Sequence, residues 1–426
     1  MKARIEPGAV TGIFTAPSSK SYTQRAYAAA LLHKGSTTIH NPGSSDDERA
    51  ALDIIQQLGA VVTSQTATKI ELFSNGVNPI HHTINCGESG LAARLFTPIA
   101  ALSEKPSTVT GSGSLLKRPM EGFANVFPQL SVQLPGFEKY LPVSIKGPMV
   151  AANIKMNAEG GSQLLTGLLF ALCNCATKKV TISVAGLKSK PYIDMTLEVL
   201  EQSDKKVINN NYSEFIVDPA LFVQKNELAI HIEGDWSSGA YFLVAGAIAG
   251  SVTVKNLNPE SKQADKAILK VLDAAGANVV TNSEGITVTN AKLTAFEFDA
   301  TDCPDLFPVL AILAACCEGE SSICGVHRLF YKESNRVESI TEMLQYFGVH
   351  FSVEEDTLYV EGVYKLQGTI IDSYNDHRIA MAAAIGALRA NGPVDITNPT
   401  CINKSYPDFF KDLALCGGRV TLPADS

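Results

Sequence analysis

The chain has 426 residues, 45% of them apolar and only 18% charged, which excludes a disordered polymer and gives room for two or three domains with sizeable cores. Its formal net charge is −8, so the basic footprint of a nucleic-acid binder is missing, and an anionic ligand has to be held by a few placed Lys and Arg side chains. No apolar run reaches the ~20 residues of a membrane span; the longest candidates, such as that around residues 306–317, stop at about 12 to 14.

The N-terminus, M-K-A-R-I-E-P-G, lacks the apolar stretch of a signal peptide. Nine cysteines show no zinc-like or redox spacing, and Cys173, Cys175, Cys316 and Cys317 sit in apolar helical runs, as buried thiols do. A cytoplasmic protein is expected. Strand-like A-R-I-E and G-I-F-T open the chain. After them one marker recurs: a small or basic start, then Thr, Ser or Asp, then Ile or Val. It begins at Gly35, Lys105, Lys178, Gly250, Gly319 and Gly392, with gaps of 70, 73, 72, 69 and 73 residues. Six markers at near-constant spacing indicate duplication of a unit of about 71 residues.

Each marker, β-branched and alternating, predicts a strand. Each follows an Ala- and Leu-rich segment, from A-Y-A-A-A-L-L in the first unit to I-A-M-A-A-A-I-G-A-L in the last. Segments apolar nearly all round predict helices buried inside a domain. A second, amphipathic helix is expected in each unit, for example D-D-E-R-A-A-L-D-I-I-Q-Q-L-G, with Gly59, Gly276, Gly348 and Gly417 suited to C-caps. Short strands complete a βαβαββ-like order, and the last unit is expected to close on the N-terminus.

The turns before the buried helices differ from one another: P-S-S-K-S-Y-T-Q-R, C-G-E-S-G-L-A-A-R, E-G-G-S-Q, E-G-D-W-S-S, D-C-P-D and Y-N-D-H-R. Gly, Ser and Asp there are ordinary N-cap chemistry. Lys20, Arg25, Arg94 and Arg378 are not, because positive charge in a first turn opposes the helix dipole by about 0.3–1 kcal/mol. A bound anion removes that conflict, so these helix heads predict anion sites. Y-K-E-S-N-R brings Lys332, Glu333 and Arg336 together at another helix start, where a solvated surface ion pair is the plainer reading. N-K-S-Y-P-D-F-F sets Lys404 before a helix expected to begin around Pro407. His377, between Asp376 and Arg378, fits capping or orienting of its turn as well as catalysis. His81 and His82 have no ligand-spaced partners, so they are read as loop residues and no metal is expected.

Taken in order, K-S-Y-T-Q-R, G-E-S-G-L-A-A-R, K-R-P-M, S-K-P-Y-I-D, D-C-P-D, Y-K-E-S-N-R, N-D-H-R-I-A-M and N-K-S-Y-P-D-F-F resemble the 5-enolpyruvylshikimate-3-phosphate synthase family over essentially the whole chain. The resemblance implies an α/β (α+β) fold of two globular domains, each of three βαβαββ units, in an inside-out barrel-like arrangement. One domain would hold residues 1–19 plus 232–426 and the other residues 20–231, with the chain crossing near 15–20 and 231–235 and the active site in the cleft between them. It also implies a monomer without cofactor, metal, nucleic-acid or membrane partner, acting on shikimate 3-phosphate and phosphoenolpyruvate. By resemblance three residues are catalytic: Asp305 takes the hydroxyl proton, Glu333 exchanges protons with the methylene carbon, and Lys20 contacts both substrates and assists proton transfer. Ser21, Arg25, Ser162, Gln163, Ser189, Tyr192, Asp305 and Lys332 match the shikimate 3-phosphate positions. Lys20, Gly90, Arg118, Arg336, Arg378 and Lys404 match those for phosphoenolpyruvate, with Gln163 near.

The chain departs from the family pattern at Glu88, Leu91, Leu95, Leu116, Gly161, Arg328 and Asn335, and between Met120 and Pro142 it is short and irregular. The rival within the fold is the sister family that transfers enolpyruvate to UDP-N-acetylglucosamine. That family opens its first motif with Lys-Asn and carries a reactive cysteine before its Arg-Pro. Here the first motif is Lys20-Ser21, and no cysteine lies between Gly87 and Leu172. A repeat scaffold that merely binds phosphorylated ligands would keep similar surfaces along the array, whereas these six helix heads differ.

Overall fold

The computed structural model describes residues 1–223 and 227–423. The chain divides into two compact units, one of Met1–Pro17 with Gly234–Ser426 and one of Ser18–Glu233. Among the described residues each unit holds three sheets. All six markers are strands: Gly35–His40, Ser107–Thr110, Val180–Ala185, Gly250–Lys255, Glu320–Cys324 and Val394–Thr397. The six apolar segments are helices, Lys20–Leu32, Gly90–Ala100, Gln163–Cys175, Trp236–Ala249, Phe307–Ala315 and His377–Ala387. They are buried on nearly every face, as their lack of a polar stripe requires.

The repeat explains the sheet order. A marker strand pairs in parallel with the strand that precedes its buried helix, for example Ile154–Asn157 with Val180–Ala185, and antiparallel with a later strand of its own repeat. Where the chain passes between units, the strand preceding the helix comes from elsewhere. Val10–Thr15 pairs in parallel with Gly250–Lys255, the strand that follows the helix Trp236–Ala249. Glu227–His231 pairs in parallel with Gly35–His40, the strand after Lys20–Leu32. Each unit is thus completed by a strand from the far end of its own sequence. The last repeat does close on the N-terminus: Lys2–Glu6 lies antiparallel between Val394–Thr397 and Arg419–Thr421.

Apolar burial holds these layers. In the unit with the termini, Phe14 stacks on Phe242 at 3.9 Å between ring centroids, and Tyr406 and Phe409 pack around them. Burying one such ring contributes about 1.5–3 kcal/mol. Trp236, the only tryptophan of the sequence, is fully buried and donates its indole N–H to Asn258 O at 3.0 Å. Among the described residues no helix is long and apolar enough to cross a membrane.

Two expectations need correcting. The second repeat has no long amphipathic helix; its place is taken by three short pieces, Gly113–Lys117, Gly122–Val126 and Phe127–Leu130. Pro128 and the left-handed Ser131 break that stretch. The final helix begins at Phe409, not around Pro407, and Lys404 ends the 3-10 turn Pro399–Lys404. The four expected C-cap glycines all have positive φ, between 74° and 110°.

The marker glycine at 250 has a different reason. A Cβ there would overlap the carbonyl oxygen of Val10 on the paired strand, and backbone cannot step aside. Gly250→Ala should therefore lower stability by about 1–3 kcal/mol or more. Gly276→Ala has open space, Lys292 O lying 3.8 Å away, and meets only its φ of +77°; it should cost about 1 kcal/mol. Urea unfolding midpoints of the two variants check the order, and an equal loss would contradict it.

Candidate active site

In the unit with the termini, the site is built from three helix openings and the end of one 3-10 turn. Asp305 lies in the turn Pro304–Leu306 ahead of the helix Phe307–Ala315. Arg336 opens the helix Arg336–Tyr346, preceded by the turn that carries Lys332 and Glu333. Arg378 is the second residue of His377–Ala387, whose N-cap Asp376 accepts from Arg378 N. Lys404 donates to Asn375 O at 2.6 Å, which ties the last 3-10 turn to that same helix head.

Arg336 is the centre of this group. It is 0% exposed, yet three carboxylates meet its guanidinium. Nε donates to Asp376 Oδ2 at 2.8 Å, Nη1 to Asp305 Oδ1 at 2.8 Å, and Nη2 to Glu333 Oε2 at 2.6 Å and to Asp376 Oδ1 at 3.2 Å. Burial alone would lower its pKa; Asp376, Glu333 and Asp305 overcome this and hold it well above the usual arginine value. Burial would likewise raise Asp376, but Arg336 holds it below the usual carboxylate range.

Asp305 receives two more cations. Lys332 Nζ lies 3.3 Å from Oδ1 and Arg378 Nη2 3.0 Å from Oδ2. Burial lowers the Lys332 pKa, Asp305 opposing and Arg336 adding to the fall. The turn Y-K-E-S-N-R is therefore no solvated ion pair: it wraps a buried one.

In the other unit the predicted residues form three smaller groups. Lys20, the first residue of Lys20–Leu32, pairs with Asp47 at 2.9 Å. Behind them Glu48 is buried, its carboxylate bound to Ser45, and burial raises it to about 7. Arg25 is buried and donates to Ser21 O at 2.8 Å, Tyr192 O at 3.0 Å and Thr196 Oγ1 at 3.0 Å. No carboxylate meets it among the described residues, and burial draws its pKa down to about 10.

The third group surrounds Gly90. A Cβ at that position would overlap the guanidinium of Arg118, so the missing side chain is what lets Arg118 lie across the helix head. Arg94 donates to Gly90 O, to Gln163 Oε1 and to Pro119 O. Arg25 and Arg94 thus stand in the second turn of their helices, not the first; only Lys20 and Arg378 of the four head cations are in a first turn. Ser162 and Ser189 are buried N-cap residues of their helices, Ser189 with φ 59°.

Several departures find their place. Glu88 turns its carboxylate onto Ser114, accepting from its N at 3.0 Å and its Oγ at 3.2 Å. Leu95 is core, and Leu116 is 43% exposed. Nothing in the structure explains Arg328. Sequence reasoning passed over Asp47, taken only as part of an amphipathic helix, and Asp376 as a partner of Arg336; Asp376 lies 40 residues from it and no local pattern joins them. Among the described residues no cluster of His, Cys, Asp and Glu could hold a metal ion.

Comparison with known proteins places this geometry. The family description EPSP synthase (3-phosphoshikimate 1-carboxyvinyltransferase) matches residues 5–413. A 3-phosphoshikimate 1-carboxyvinyltransferase from Clostridium novyi (strain NT) is 34% identical over 98% of each chain. One from Thermococcus kodakarensis is 37% identical over 95% of this chain and 97% of its own. Among solved structures, EPSP synthase from Acinetobacter baumannii superposes with a TM-score of 0.80 at 25% identity, over 99% of this chain and 100% of that one. The enolpyruvyl transferase NikO from Streptomyces tendae, 16% identical with a TM-score of 0.78, shares the fold. With its motifs in order and its family matched almost end to end, the chain belongs to the EPSP synthase family.

Proposed function

We propose that this chain transfers the 1-carboxyvinyl group of phosphoenolpyruvate to the 5-hydroxyl of shikimate 3-phosphate and releases phosphate, acting as a monomer in the cytoplasm. Its nine cysteines are all free, as a reducing compartment would keep them. Asp305 takes the hydroxyl proton as the oxygen bonds to C2 of phosphoenolpyruvate, and Glu333 delivers a proton to the methylene carbon, making it a methyl group. In the second half Glu333 takes a proton back from that methyl, the C2–phosphate oxygen bond breaks and phosphate leaves. Lys20, Arg118, Arg378 and Lys404 hold the phosphate and carboxylate of phosphoenolpyruvate, with Gly90 leaving room for Arg118. Ser21, Arg25, Ser162, Gln163, Ser189, Tyr192 and Lys332 hold shikimate 3-phosphate.

One observation carries this reading: the two carboxylates given opposite proton duties are bound to neighbouring nitrogens of one buried guanidinium, at 2.8 and 2.6 Å. A shared, immobile anchor fixes the spacing between base and acid, which is what positioned proton transfer requires. Arg336 uses four of its five N–H groups for carboxylates, so its direct share in binding phosphoenolpyruvate is the one remaining.

Asp305→Asn and Glu333→Gln should each lower kcat by about 10²–10⁴-fold in a protein that still folds, with the unfolding midpoint lowered by the loss of a charged partner of the buried Arg336. Phosphate release from phosphoenolpyruvate with shikimate 3-phosphate measures this, and near-normal turnover in either variant refutes its assignment. Run beside UDP-N-acetylglucosamine, the same assay separates the sister reaction: release with only the nucleotide sugar overturns the proposed function. Gly90→Ala pushes the Arg118 guanidinium aside. Losing one charged hydrogen bond is worth roughly 1.5–3 kcal/mol, so KM for phosphoenolpyruvate should rise about tenfold or more. KM for shikimate 3-phosphate should change far less in the same titrations.

A further inference from the structure

A fourth carboxylate, Asp265, packs on the head of the helix Trp236–Ala249, whose Tyr241 one turn further on donates its hydroxyl to Arg378 O at 3.2 Å, and none of the roles above uses it. Asp265 lies in the 3-10 turn Ala264–Ala267 and is 1% exposed. The hydroxyl of Ser237, in the first turn of Trp236–Ala249, donates to its Oδ2. Its Oδ1 has no hydrogen-bond partner among the described residues. The segment around it is anchored to the same helix head: Gln263 accepts from Trp236 N at 3.0 Å and donates to Gly234 O at 2.8 Å. A buried carboxylate with one bare oxygen is costly when ionised and tolerable when it carries a proton.

The charges that reach Asp265 come from three directions. Asp305, ahead of the helix Phe307–Ala315, and Asp235, the N-cap of Trp236–Ala249, oppose its ionisation, while Arg378 favours it. Cys303 also faces it, its thiol pushed up by burial first and by Asp265 next. On its own turn Lys266 is taken up by Pro259 O, and Lys270 and Asp273 of the following helix are exposed. His377, beside Arg378, lies 4.0 Å from Asp376. The balance favours the proton: burial, and then Asp305, raise Asp265 to about 7.

We propose that Asp265 is a positioning residue for the Asp305–Arg378 pair, whose loss of a proton adds a negative charge facing Arg378 and thereby weakens the hold on an anionic substrate. It touches no reacting atom; it acts through Arg378, the cation that binds Asp305 Oδ2 at 3.0 Å. The inference rests on the proposed part of Arg378 in holding phosphoenolpyruvate.

Two measurements test it. The folded protein keeps the Asp265 proton to a higher pH than the unfolded chain does, so ionisation of Asp265 destabilises the fold as pH rises from about 4 to about 7. The gain in Tm of Asp265→Asn over the native protein should grow across that range and level off above it. A gain that does not vary with pH overturns the proposal, and this readout needs no substrate. The ratio of KM for phosphoenolpyruvate, native over Asp265→Asn, should rise about fivefold to tenfold between pH 6 and 8.5, as one added charge at a partly screened distance implies. Titration of the substrate itself cancels in the ratio. Superimposable KM profiles overturn the coupling to Arg378.

Should Asp265→Asn fold poorly, Ser237→Ala carries the test. The Ser237 hydroxyl favours the ionised carboxylate, so its removal should move the alkaline rise in KM to higher pH. An unmoved rise overturns the proposal. Failure of the functional reading itself would show separately, as no phosphate release by the native protein, with the stability measurement still deciding whether Asp265 titrates.

Discussion

The buried guanidinium of Arg336 is the constraint on which the arrangement of its unit depends. It is held by Asp305 from one helix opening, Glu333 from its own turn and Asp376 from a third, so one side chain locks three segments together. Taking a cation and three carboxylates out of water costs several kcal/mol per ion and is offset only by close geometry and full hydrogen bonding. Apolar replacements of similar volume would hold such a place at least as well. A cluster this costly, in a fold with ample apolar core, fits the proposed function, in which it would fix Asp305 and Glu333 for proton transfer.

The six-fold repeat supplies the frame for this. Each repeat buries one apolar helix and presents that helix's polar N-terminus, so the fold generates six equivalent openings. Their backbone geometry is shared; their side chains are not. Lys20 and Arg378 occupy the first turn where a cation opposes the dipole, and each is met by a carboxylate, Asp47 and Asp305 respectively. These acids replace, within the protein, part of the negative charge an anionic ligand would contribute. In the proposed function, an anion bound at either head would compete with a resident carboxylate, and ionised Asp265 would add to that competition at the Arg378 head.

How much could be read from the sequence follows the range of the interaction. Buried helices, marker strands and C-cap glycines are written in local pattern, and all were legible. The second repeat was misread at Gly113–Leu130 because a proline and a left-handed turn broke a helix that the repeat period predicted. Arg25 and Arg94 were recognised as odd for the right residues but placed one turn early: from the second turn their guanidinium groups return to the carbonyls of Ser21 and Gly90. The partners Asp47, Asp376 and Asp265 could not be read, since each meets its cation or hydroxyl across 27 to 40 residues of chain. Glu88, a departure from the family pattern, turns its carboxylate onto Ser114, a contact 26 residues away that no local pattern shows.

Two buried arginines, Arg25 in one unit and Arg336 in the other, are compensated in opposite ways. Among the described residues Arg25 donates to two carbonyls and a hydroxyl and meets no carboxylate, and burial draws its pKa down to about 10. A buried cation in that state gains most from a ligand that brings negative charge, and it has no proton-transfer partner to disturb. Arg336 is the opposite case, overcompensated by carboxylates and raised well above the usual value. It gains little from a further anion, but it keeps Asp305 and Glu333 oriented and apart. In the proposed function Arg25 would anchor an anion with no resident acid, while Asp305 and Glu333 would move protons as acids held by one cation. One repeat serves both because its helix openings differ only in which side chains they carry.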